Sequence, residues 1–214
     1  MYRLNPLQRN VLITTDEVVF HAPTKHTLDP RTIQQSIIVA EERFIRPLLG
    51  YDFYEQLVGA KNTVVADANK AALQALYNSS KPANAPAYTL VNGDIINAME
   101  TLSVDNLALW KQHLWKLVAE CVLYCATPDA FVQFGSEGVI HTTPPSLSMN
   151  ATGANTPELR SVKWSMDKKL QERVDPLIEA LHTWICKQKT EDSTKFPLYI
   201  NACDCDSKGV PYKK

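Results

Sequence analysis

With 214 residues, the chain is long enough to bury one full hydrophobic core. Apolar side chains make up 45% of it and charged side chains 21%, both ordinary shares for a globular protein. The 22 Lys and Arg residues nearly balance the 23 Asp and Glu residues, so the formal net charge is -1. This charge argues against the binding of nucleic acid phosphates as the main function, and it leaves little repulsion between copies of the chain.

The sequence carries no membrane or secretion signal that we recognise. No stretch approaches the roughly 18–20 consecutive apolar residues of a membrane helix. The first residues, MYRLNPLQRNVLITTDE, lack the charged-then-apolar layout of a signal peptide. We therefore expect a protein that stays in a cytosol without contacting a membrane. Five cysteines in that compartment do not indicate a disulfide framework, so most should be plain thiols.

The first long helix is predicted in DPRTIQQSIIVAEERFIRPLLG, after an extended start in NVLITTDEVVF. Asp29 is a candidate N-cap, and Pro30 suits the first helical position. Pro47 lacks an amide donor and Gly50 favours a C-terminal turn, so the helix should kink or end there. A second short helix, YDFYEQLVGA, follows at once. The pattern predicts a rigid elbow between two helices.

The middle of the chain predicts a third helix over residues 66–77 and a loop over residues 81–93. A short helix at 95–102 is an option. The segment NLALWKQHLWKLVAECVLYCATP reads as a buried helix, because its apolar residues form one stripe and Pro128 follows its expected end. In FVQFGSEGVIHTT, β-rich runs flank a glycine-containing turn, which is typical of a small hairpin.

The last third predicts one long helix and a tail. PELRSVKWSMDKKLQERVDPLIEALHTWICKQK has apolar residues on one face, with a kink expected at Pro176. The fold class is therefore an all-α helical bundle of about five or six helices, with a projecting loop or small β-hairpin at about 131–157. We divide the chain into a helical domain, residues 1–192, and an extended C-terminal arm, residues 193–214.

Cys203 and Cys205 are the clearest candidate metal ligands. They would need two more ligands for a tetrahedral zinc site, and Cys186 or His182 could supply them. Zinc motifs usually separate their cysteines by two to four residues, and this pair has one residue between them. The spacing favours free or incidentally paired thiols, so we expect no metal site and no cofactor.

No catalytic signature stands out. None of the five histidines lies in a recognisable catalytic pattern, and the phosphate-binding and nucleophile motifs are missing from the sequence. Glu41 and Glu42 lie on a helix with Arg43 and Arg46, which we interpret as a solvated face of mixed charge. Residues 82–93 and 138–157 contain no charged side chain, which is unusual for loops of this length. We therefore expect no catalytic residues and no enzymatic activity.

The order of these elements resembles a known family. The extended start is followed by D-P-x-x-I, by the elbow E-R-F-I-R-P-L-L-G-Y-D-F-Y-E-Q-L, by D-N-L-A-L-W and by F-V-Q-F-G-S-E-G-V-I. Over about residues 10–140, this order resembles the head-to-tail connector (adaptor or ring) proteins of tailed bacteriophages of Bacteroides-type hosts, including crAss-like phages.

The resemblance implies a structural virion protein at the head-tail junction, assembled in the host cytoplasm. Such proteins form a homo-oligomeric ring under the portal protein, typically of twelve copies. The ring extends the channel through which DNA passes without sequence-specific binding, and it gives adjoining tail or ring proteins a docking surface. The alternatives are a small helical regulatory or nucleic-acid-associated protein and, with less support, a thiol- or metal-dependent protein.

Two groups of residues would then be candidates for partner contacts. At the elbow, Pro47 and Gly50 would fix the angle between helices, and neighbouring aromatic residues would anchor the corner. In the arm, apolar residues without a helical period could lie across a neighbouring subunit or the portal. Packing within the subunit is the competing interpretation. The candidates are Tyr51, Phe53, Tyr54, Phe196, Leu198, Tyr199, Ile200 and Tyr212.

Overall fold

The computed structural model describes residues 10–21, 30–80, 84, 86–135, 138–141 and 159–201. This part of the chain is mostly helical, which confirms the all-α class with a small hairpin. Counting a helix through its π turn as one, it contains six helices, and none is long and apolar enough to cross a membrane. The α-helical segments are α1 (Thr15–His21), α2 (Pro30–Ala40), α3 (Arg46–Leu49), α4 (Tyr51–Lys61), α5 (Asp67–Ser80), α6 (Val104–Leu109), α7 (Trp115–Phe131), α8 (Leu159–Lys169) and α9 (Asp175–Glu191).

Three helices contain a π turn, in which the backbone bonds skip one residue more than in an α-helix. The turns are Glu41–Ile45 between α2 and α3, Trp110–Leu114 between α6 and α7, and Leu170–Val174 between α8 and α9. Two of them end two residues before a proline, at Pro47 and at Pro176. A proline lacks the amide proton and crowds the carbonyl four residues earlier, so widening the preceding turn lets the helix continue.

The structure agrees with the prediction for Gly50 and contradicts the prediction for Pro128. The helix continues through Pro47 to Leu49, and Gly50 then separates α3 from α4, as the glycine turn predicted. Pro128 was predicted to follow the end of its helix, but it lies inside α7, which continues to Phe131.

Two further predictions gave the wrong type of secondary structure. The start predicted as extended contains helix α1. At its beginning, the amide of Thr14 donates to the carboxylate of Glu17, and the amide of Glu17 donates to the hydroxyl of Thr14. The helix considered for 95–102 is instead strand β2 (Ile95–Ile96) followed by a short 3₁₀ turn (Met99–Thr101). β2 pairs antiparallel with β1 (Thr63–Val64), which precedes α5.

The predicted hairpin is confirmed. β3 (Val132–Gly135) pairs antiparallel with β4 (Gly138–His141), and Gly135 lies opposite Gly138 at the turn. The hairpin follows α7 directly, so it extends from the end of that helix. Of the uncharged segment 138–157, residues 142–157 lie outside the described residues.

The main core lies where α2 packs against α7, with α1 and α9 closing its sides. A separate small core lies under the β1–β2 sheet, between α5 and the loop before β2. Because this second cluster has its own buried residues, the described residues between 63 and 98 form a lobe attached to the bundle. Its buried side chains are Val65, Leu73, Leu90, Ile96 and Ala98.

The segment after α9 is not a projecting arm within the described residues. Residues 192–201, here called the strap, form a series of turns against the bundle. Phe196 and Tyr199 belong to the main core, and Phe196 adopts a left-handed backbone with φ 47°. The extended arm predicted from residue 193 is therefore wrong up to residue 201, and residues 202–214 lie outside the described part.

Candidate assembly surface

Gly50 joins the two helices of the elbow through its backbone. Its amide donates to the carbonyl of Arg46 at 2.9 Å, which closes α3, and its carbonyl accepts from the amide of Tyr54 at 3.1 Å, which opens α4. Gly50 has φ 84° and ψ 155°, a conformation that glycine alone adopts without strain. The elbow predicted from the sequence is thus present, and Gly50 is the residue at which the chain changes direction.

The strap closes the inside of this corner. The side-chain amide of Asn201 donates to the carbonyl of Leu48, which has no continuing helix to supply a donor. A methyl group built on Gly50 would lie 3.1 Å from Cγ1 and 3.3 Å from Cδ1 of Ile200. Glycine is therefore needed twice, for its backbone conformation and for the close approach of the strap.

The aromatic side chains behind the corner pack within the chain. The ring of Phe53 lies 5.9 Å from the ring of Phe196 and 6.4 Å from that of Tyr199, in tilted and edge-on arrangements. Tyr54 is also buried. The suggestion that Phe53, Tyr54, Phe196 and Tyr199 contact a partner is corrected, because their side chains have almost no accessible surface. Leu198 is partly buried against the same core.

A smaller set of the candidates faces outward. Tyr51 is 56% exposed and Ile200 is 77% exposed, while Pro47 also lies on the surface. The guanidinium of Arg46 lies 4.4 Å from the centre of the Tyr51 ring and pairs with Glu42, so this exposed ring is held in place. We call Pro47, Tyr51 and Ile200 the elbow patch. Tyr212 lies outside the described residues.

A second exposed apolar surface lies on the attached lobe. Val64 and Ile95 face each other across the β1–β2 pair, and both are more than half exposed. Val91 is equally exposed and begins the turn in which the amide of Gly93 donates to the carbonyl of Val65. We call Val64, Val91 and Ile95 the sheet patch.

The loop beside the sheet patch is held by a glutamine. The carbonyl oxygen of the Gln74 side chain accepts from the amide of Leu90 at 2.7 Å, and its NH₂ group donates to the carbonyl of Tyr88. Asn78 accepts from the amide of Tyr88 at 3.0 Å. Within residues 86–93 the loop, which carries no charge, is thus fixed by α5 and anchored by the buried Leu90.

Glu41 anchors the elbow from inside, and its burial contradicts the predicted solvated face. It is fully buried in the first π turn. One carboxylate oxygen accepts from the amides of Leu12 and Ile13 at 2.7 and 3.2 Å, and the other accepts from the hydroxyl of Tyr54 at 2.6 Å. This carboxylate therefore ties three segments together. The predicted face of mixed charge is limited to Arg43, Arg46 and Glu42.

Lys61 at the end of α4 is a second buried charge nearby. Its ammonium pairs with Glu17 of α1 and lies 3.7 Å from the centre of the Trp110 ring. Burial lowers the pKa of Lys61, and the hydrogen bond with Glu17 acts in the opposite direction. The pair holds α1 against the end of α4.

Glu120 of α7 joins α1 to the last long helix. Its carboxylate lies 3.1 Å from Arg173, 3.6 Å from His21 and 4.0 Å from Lys169. One of its oxygens is buried and accepts no hydrogen bond. An arginine, a lysine and a histidine around one acid make this a structural junction between helices. Within the described residues, no three metal-binding side chains converge.

Comparisons of the chain with protein-family models, with curated proteins and with solved structures found no match. The candidate site therefore rests on the geometry of the chain itself, in which two exposed apolar patches belong to rigid parts of the fold.

Proposed function

We propose that this protein is a structural subunit of a ring between the portal and the tail of a bacteriophage. The observation that carries the proposal is the elbow, a corner with a fixed angle that carries an exposed apolar patch. Its angle is held by Gly50, by the buried Glu41 and by the strap. A ring closes only when every subunit presents the same rotation to its neighbour, so a rigid corner suits this role.

A closed ring with more than two subunits also needs two different complementary surfaces on each subunit. The elbow patch and the sheet patch are two such surfaces, in separate parts of the fold. Both are apolar, and the sheet patch lies beside a loop without charged residues. The formal net charge of -1 adds little repulsion between copies. We infer that the elbow patch of one subunit contacts the sheet patch of the next.

The order of motifs described above supplies the virion context of the proposal. On that basis the ring would bind the portal protein on one side and tail components on the other, around a DNA channel. A mass measurement tests this first. We expect rings, with twelve copies as the expected number, when the protein is mixed with a candidate portal protein. A protein that remains monomeric with every portal and tail candidate would contradict the proposal.

The pairing of the two patches predicts a specific outcome for variants. Tyr51→Glu and Val64→Glu should each prevent ring formation, because either change places a charge in one half of every junction. A mixture of the two variants should form heterodimers, since one intact elbow patch and one intact sheet patch remain. Native mass spectrometry distinguishes rings, heterodimers and monomers.

Val104→Glu is the matched control for this experiment. Val104 is the first residue of α6 as Tyr51 is of α4, and both are exposed apolar side chains. The Val104→Glu variant should form rings normally. Rings from Tyr51→Glu or Val64→Glu, or a mixture that stays monomeric, would refute the pairing of these two patches.

A further inference from the structure

The attached lobe exposes the one asparagine of the sequence that a glycine follows. Asn92 and Gly93 form the tip of a turn that closes where the amide of Asp94 donates to the carbonyl of Val91 at 3.1 Å. Both tip residues are exposed. We propose that Asn92 is a site of spontaneous deamidation, that two hydrogen bonds of the fold slow the reaction, and that its product loosens the lobe.

Deamidation at this site is a reaction between two neighbouring residues. The backbone nitrogen of Gly93 loses its proton and attacks the side-chain carbonyl carbon of Asn92, and the side-chain nitrogen leaves as ammonia. Water then opens the resulting cyclic imide at one of its two carbonyls and leaves either aspartate or isoaspartate at position 92. Glycine favours the attack, because it has no side chain to crowd the nitrogen.

The fold holds both reacting groups. The amide of Gly93 donates to the carbonyl of Val65 at 2.9 Å. The side-chain NH₂ group of Asn92 donates to the carboxylate of Asp67, the first residue of α5. The first bond must break before the nitrogen can attack, and the second opposes the rotation that brings the side chain over that nitrogen. The reaction therefore requires a transient opening of the turn.

Asn78 is the contrasting asparagine of the same lobe. It lies inside α5 and is followed by Ser79, and its side-chain oxygen accepts from the amide of Tyr88 at 3.0 Å. A helix also holds the amide of the following residue in its backbone hydrogen bonds. Deamidation in the lobe should therefore concentrate at Asn92.

Deamidation replaces a hydrogen bond with a repulsive contact. The carboxylate of Asp67 loses its donor and faces a new carboxylate on residue 92. The carboxylate of Asp94 lies in the same turn, where it accepts from the amide of Val91 at 2.8 Å. A new negative charge beside acidic groups disrupts the local structure by repulsion.

The turn connects the new charge to the small core of the lobe. The amide of Val65 donates to the carbonyl of Asp94 at 2.8 Å, and the carbonyl of Val65 accepts from Gly93, while its side chain is buried. Isoaspartate also lengthens the backbone beside these two bonds. We therefore expect the modified lobe to open more often. This inference holds for the isolated chain and does not rest on ring formation.

Peptide mapping of stored protein tests the site. The full chain is kept at mildly alkaline pH, folded in one sample and in denaturant in another, and digests are followed by mass spectrometry with an assay for isoaspartate. The Asn92 peptide should convert in both samples, at least about tenfold more slowly in the folded one. Equal rates would overturn the restraint by the fold, and a folded sample without conversion would overturn the site.

Variants of Asp67 test the restraint directly. Asp67→Ala and Asp67→Asn both remove the charge at the start of α5, but asparagine keeps an oxygen that can accept from Asn92. Asp67→Ala should deamidate about fivefold faster than the parent chain, while Asp67→Asn should stay within about twofold of it. Equal rates in the two variants would show that this hydrogen bond does not restrain the reaction.

Asn92→Asp carries the aspartate product from the start. Hydrogen exchange of the Val65 and Gly93 amides should be about tenfold faster in this variant than in the parent chain. Asn92→Gln is the control, because its longer side chain keeps the NH₂ donor and forms a cyclic imide far more slowly, so its exchange should not change on storage. Unchanged exchange in Asn92→Asp would overturn the claim that deamidation loosens the lobe.

Discussion

Replacing Glu41 with alanine should lower the free energy of unfolding by about 4 kcal/mol, because it leaves three buried donors without an acceptor. These are the amides of Leu12 and Ile13 and the hydroxyl of Tyr54. A buried donor that loses its partner costs about 1–3 kcal/mol. Urea denaturation followed by tryptophan fluorescence measures the loss.

Glu42→Ala is the matched control, because the two glutamates are adjacent on the same helix. Glu42 pairs with Arg46 four residues later, and both side chains are about one-third exposed. Exposed pairs of this kind contribute about 0.3–0.5 kcal/mol. A Glu41→Ala loss as small as that of Glu42→Ala would show that the carboxylate does not hold the three segments together.

Tyr54→Phe isolates one of the three bonds. It removes the hydroxyl that donates to Glu41 at 2.6 Å and leaves the ring in place, so we expect a loss of about 1.5 kcal/mol. The effects of Glu41→Ala and Tyr54→Phe should not add in the double variant, because both remove the same bond. Full additivity would mean that the hydroxyl and the carboxylate act independently.

Helix positions were predictable where apolar spacing and breakers agreed. Pro30 begins a helix as its fixed backbone angle requires, and Gly50 ends one. The prediction that the helix ends before Pro128 was wrong, because a proline ends a helix only if the preceding turns cannot adjust to it. At Pro47 and Pro176 the adjustment is a π turn, which shifts the register by one residue and leaves no marker in the sequence.

Glu41 was misjudged from its charge, although its position gave a usable signal. It lies four residues after Ile37 and three before Phe44, within the apolar stripe of its helix. A charged residue within an apolar stripe is either buried in a hydrogen-bond network or located at the edge of the buried face. The donors that decide between these two cases come from other segments and are known only from the fold. Leu12 and Ile13, which lie 29 and 28 residues away along the chain, could not be assigned to it from local pattern.

The strap shows the opposite error. Phe196, Leu198, Tyr199 and Ile200 were correctly marked as too apolar for a free tail, but their lack of periodicity suggested a partner chain. Their own chain covers most of them, because α9 returns the strap to the elbow and Phe53 and Trp184 receive Phe196. Ile200 alone of the four keeps most of its surface exposed. An apolar segment without helical or strand periodicity indicates that its side chains are buried. Whether they are buried against the same chain or against a partner depends on the fold.

Gly50→Ala should lower the free energy of unfolding by about 2–3 kcal/mol, which is the cost of placing a side chain at φ 84° and ψ 155° with a close contact to the strap. Gly59→Ala is the matched control on the following helix. Gly59 lies inside α4, and a methyl group there would meet nothing within 4 Å. It should stabilise the protein by about 0.5–1 kcal/mol, because alanine favours a helix interior over glycine.

Ile200→Ala separates the two causes of the Gly50 effect. The shortened side chain removes the atoms 3.1 and 3.3 Å from the added methyl group, so any steric part of the loss should disappear in the double variant. The backbone part should remain, because no change at residue 200 alters the angle that Gly50 adopts. We therefore expect Gly50→Ala to cost at least 1.5 kcal/mol even beside Ala at 200. A double variant in which that cost vanishes would mean that the strap, and not the glycine backbone, sets the direction of the elbow.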